Sequence, residues 1–70
     1  MKTVVLNRKL YGATAVRSAA EDFAELATIV VDSSGQDIAV TFDEIDPDVA
    51  EVLVDEFLNF ALAATVGGRG

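Results

Sequence analysis

The sequence predicts an α+β fold: a two-layer β-α-β-β-α domain whose three-stranded sheet carries two helices on one face. Three observations predict it. Short apolar runs at residues 3–7, 28–32 and 38–42 are rich in β-branched residues and suit strands. Two longer stretches, 12–26 and 47–66, instead repeat apolar residues at three-and-four spacing. Only a turn-rich stretch separates the second and third short runs, so they read as a hairpin.

In chain order, "TVVLN" is the first strand and "RKL" a connection. Ala15, Val16, Ala19, Ala20, Phe23, Leu26 and Ala27 then share one helical face, and Arg17, Ser18, Glu21, Asp22 and Glu25 fall largely on the other. Gly12 is the N-cap, weaker there than Ser. In the hairpin, Ile29 and Val31 alternate with Thr28, Val30 and Asp32, and Ile38, Val40 and Phe42 lie opposite Ala39 and Thr41. Ser33, Ser34, Gly35 and Gln36 supply the turn, where Gly35 is free to take a positive φ. Asp46 caps the second helix and Pro47 takes its first position. That helix runs to about Val66, and Gly67 and Gly68 stop it. The division is a single domain over 1–66 and a flexible Gly-rich tail over 67–70. The strand order is left open by the sequence; one arrangement sets the third strand between the other two, as in half of a ferredoxin-like fold, with a right-handed first crossover if strands one and two are parallel.

A chain of 70 residues buries only ~60% of its unfolded surface, so its own core is marginal. Small scaffolds add disulfides, a metal or another subunit. With no Cys and no His, thiolate zinc sites, thiol nucleophiles and imidazole bases are excluded together. Association is the staple that remains. The net charge of −7 argues against direct nucleic-acid binding. Polar residues interrupt the apolar second half, so no membrane span is expected. The N-terminus does not read as a signal peptide, and the chain is expected to be cytoplasmic.

The acid run Asp43, Glu44, Asp46 and Asp48 is the densest set of possible metal ligands, but a calcium loop started at Asp43 lacks its turn glycine. Capping explains these acids better. Carboxylate pairs drawn from Glu21, Asp22 and Glu25, or from Glu51, Asp55 and Glu56, need a partly dry pocket that so small a domain has little room for. No catalytic, metal-binding or cofactor-binding residue is assigned, and the chain is not expected to be an enzyme. Tyr11 reads as a staple at the first helix's entry.

The second helix raises the functional question. Leu53, Phe57, Phe60, Ala61 and Ala64 form one apolar stripe, which the sheet covers. Val54, Leu58 and Leu62, spaced four apart, form a second ridge beside a polar band that includes Asn59. An apolar ridge left bare marks an interface. Val54, Leu58, Asn59 and Leu62 are therefore the candidate partner-binding residues, by self-association or in a heteromeric complex. The competing reading makes the ridge ordinary core.

The segment "LYGATAVRSAAEDF", followed by "IVV", "DIAVTF" and "EFLN", resembles the small HxsD-like proteins of His-Xaa-Ser peptide-modification systems. Tyr11, Ala15, Val16, Ala19, Ala20 and Phe23 match their first helix, and Glu56, Phe57, Leu58 and Asn59 match a step in their second. Two features depart: Gly12 stands where a capping Ser is usual, and "FALAATVGGRG" lacks a charged, Leu-Arg-rich ending. The resemblance implies a non-catalytic accessory protein that docks a radical S-adenosylmethionine (radical SAM) maturase, its peptide substrate, or both. A self-associating structural protein without any link to peptide modification is the alternative.

Overall fold

The computed structural model describes residues 1–67, and the elements follow the expected order. They are β1 (Lys2–Leu6), α1 (Ala13–Asp22), β2 (Thr28–Asp32), β3 (Ile38–Asp43) and α2 (Leu53–Gly67). β3 lies between β1 and β2 and is antiparallel to both. β1 and β2 are therefore parallel, with α1 as the crossover between them.

Alternation sets the core. Val4 and Leu6 of β1 stand opposite Val40 and Ile38, and Ile29 and Val31 of β2 stand opposite Phe42 and Val40. Ile38, Val40 and Phe42 are completely buried on this face. Phe57 of α2 sets its ring edge-to-face on Phe42, with centroids 5.0 Å apart. Val16 and Ala19 of α1 and Leu53, Phe57 and Ala61 of α2 complete the buried centre. The other sheet face, with Thr3, Val5, Thr28 and Val30, is open to solvent. α1 packs against β2 and α2, which leaves α2 on the β1 side of the helix layer.

Three boundaries differ from expectation. α1 stops at Asp22 rather than near Leu26, and Phe23 is its C-cap. Glu21, Asp22 and Glu25 crowd the negative end of the helix dipole, and the last turn carries no cation. The chain continues in turns, with Ala24 and Leu26 donating to the carbonyls of Glu21 and Phe23 at 3.3 and 2.9 Å. These turns bring Phe23 and Leu26 onto the core and bury Ala27.

α2 begins at Leu53, not Pro47. Residues 47–52 form turns, in which the Val49 and Val52 amides each donate three residues back. Asp46 is therefore not the N-cap of α2; its Oδ1 accepts from the Asp48 amide at 2.9 Å within the turn. Pro, Asp and Val are poor helix formers, and Ile45 and Val49 are drawn against the core. Gly67 is the last residue of α2 rather than the start of a tail, and the remainder of the expected tail, 68–70, lies outside the described residues.

Gly35 does not use a positive φ; among the described residues the positive φ belongs to Glu44, at 49°. Side chains hold the hairpin turn instead. Asp32 Oδ1 accepts from the Ser34 amide at 3.0 Å and the Ser34 hydroxyl at 2.7 Å. From the end of β1, the Arg8 guanidinium donates to the carbonyls of Ser33 and Gly35.

Candidate functional site

The ridge of α2 divides in two. Val54 and Leu58 are half-buried and pack against the core. Leu62 is 41% exposed, and Asn59 is exposed beside it. The ordinary-core reading thus describes the first two residues and not the last. Phe60, expected under the sheet, is 39% exposed and touches Phe23 edge-to-face at 5.7 Å. This contact fixes the orientation of α2. Phe60 faces the α1 side, and Leu58 and Leu62 lie ~160° round the helix from it, at ~100° per residue. They occupy the flank turned away from α1, above β1.

Beside that flank, β1 is an edge strand. Its Val5 is 63% exposed on the open sheet face, where Val30 of β2 is 58% exposed. Exposed apolar side chains are therefore found on both layers and on both edges of the sheet, Val5 on β1 and Val30 on β2.

A shallow cleft of about 450 Å³ opens between the N-terminus of α1 and the C-terminal turn of α2, lined in part by Arg8, Lys9, Thr14, Ser18 and Thr65. Thr65 ties the two helix ends together. Its Oγ1 accepts from the Gly12 amide at 3.0 Å and donates to the Ala61 carbonyl at 2.8 Å. Gly12 is the N-cap as expected, in extended conformation, but without a capping side chain. Sequence reasoning did not single out Thr65, because its partner is 53 positions away. Arg8 was missed in the hairpin for the same reason. Tyr11 is half-buried against the core at the entry to α1.

The acid run serves local turns. Asp43 Oδ1 accepts from the Glu44 amide at 2.9 Å, as Asp46 does from Asp48. Among the described residues, no three carboxylates converge on a point that would hold a metal ion. Asp32 is held below the ordinary aspartate value by the Ser34 hydroxyl and then by the Ser34 amide, with a smaller contribution from Arg17. No helix of the described residues is long and apolar enough to cross a membrane.

The fold and this surface define a two-layer α+β domain with an apolar flank above an edge strand. Comparison with family models, curated proteins and solved structures gives no match.

Proposed function

We propose that the protein is a non-catalytic accessory module that acts in the cytoplasm by binding other proteins. Its partners in this reading are a radical SAM maturase, the ribosomally made peptide it modifies, or both. The observation that carries it is Leu62, a large apolar side chain 41% exposed at the end of the ridge that Val54 and Leu58 begin. Adding a partner there would bury apolar area at little ordering cost, because the side chains sit on a packed helix. Asn59, exposed next to them, supplies a polar contact that would fix register. The resemblance of the Tyr11–Phe23 and Glu56–Asn59 patterns to HxsD-like proteins supplies the class of partner.

The test first asks whether a radical SAM enzyme and a precursor peptide are encoded beside this chain, and then uses them as the partners. Calorimetry should detect binding by the wild type and a loss of tenfold or more in Leu62→Asp, with unchanged circular dichroism. Absence of such neighbouring genes, no binding to either component, or full binding by Leu62→Asp would each overturn the reading.

A further inference from the structure

We draw no further inference here: the strongest candidate, the open edge of β1 with Val5 exposed on it, is an unpartnered face, and nothing in the structure shows what covers it.

Discussion

Replacing Phe57 by Ala should remove half or more of the domain's stability. Phe57 is completely buried, and two aromatic rings close on it. Phe42 of β3 meets it at 5.0 Å and 89°, and Phe23 meets it at 5.6 Å and 73°. Truncating a buried Phe to Ala costs ~3–5 kcal/mol. Edge-to-face pairs add ~0.5–1.5 kcal/mol each beyond burial, so the upper end of that range applies. A domain of this size holds about 4–10 kcal/mol in total, so one substitution removes half or more of its stability. Phe23→Ala is the control. Phe23 is half-buried outside the last helical turn, not buried on a helical face as the periodicity suggested. Its loss should cost only about 1–3 kcal/mol. Urea unfolding followed by circular dichroism, at one protein concentration, measures both. A Phe57→Ala variant with a cooperative transition near that of the wild type would refute the assignment of the core, and so would a larger loss from Phe23→Ala.

Two further outcomes follow from individual hydrogen bonds. Thr65→Val removes the acceptor of the Gly12 amide and should cost about 1 kcal/mol, a fall of roughly 4–8 °C in Tm by calorimetry; an unchanged Tm would mean water replaces it fully. Asp32 has a folded pKa below its ordinary value, so its contribution to stability is present above the unfolded pKa and is lost as pH falls through the folded one. A carbon-detected NMR titration should place its midpoint below 3.8, Ser34→Ala should raise it, and a midpoint at or above 3.8 in the wild type would contradict the Ser34 contacts.

The sequence made the element order and the inward faces of β2 and β3 legible, because these follow from local periodicity and connection length; periodicity did not decide the inward face of β1 or the central position of β3. Ile38, Val40 and Phe42 alternate in the sequence and are buried together in the fold. Helix ends were less legible. The early stop of α1 depends on where Phe23 and Ala27 must go to meet the core, and the late start of α2 on where Ile45 and Val49 must go. Those demands are tertiary and leave little trace in a helical wheel. The ridge was half legible for a related reason. The wheel placed Val54, Leu58 and Leu62 on one line, but only the position of α1 decides which of them the core absorbs. The bonds of Arg8 and Thr65 were illegible, since their partners lie 25 to 53 residues away.

The charge pattern shows how topology creates a property that the linear order conceals. Along the chain, the cations come first and the acids follow, which suggests a basic N-terminus and an acidic remainder. Folding changes that division. β1 and α1 run in opposite directions, so Arg8, Lys9 and Arg17 stay at one end, joined there by Asp32 and Asp37, while Glu21, Asp22 and Glu25 are carried to the other, where Lys2 also lies. The hairpin and α2 then return the second acidic group, 43–56, to that same end. Self-repulsion among these acids opposes compaction, and a small core has little to set against it.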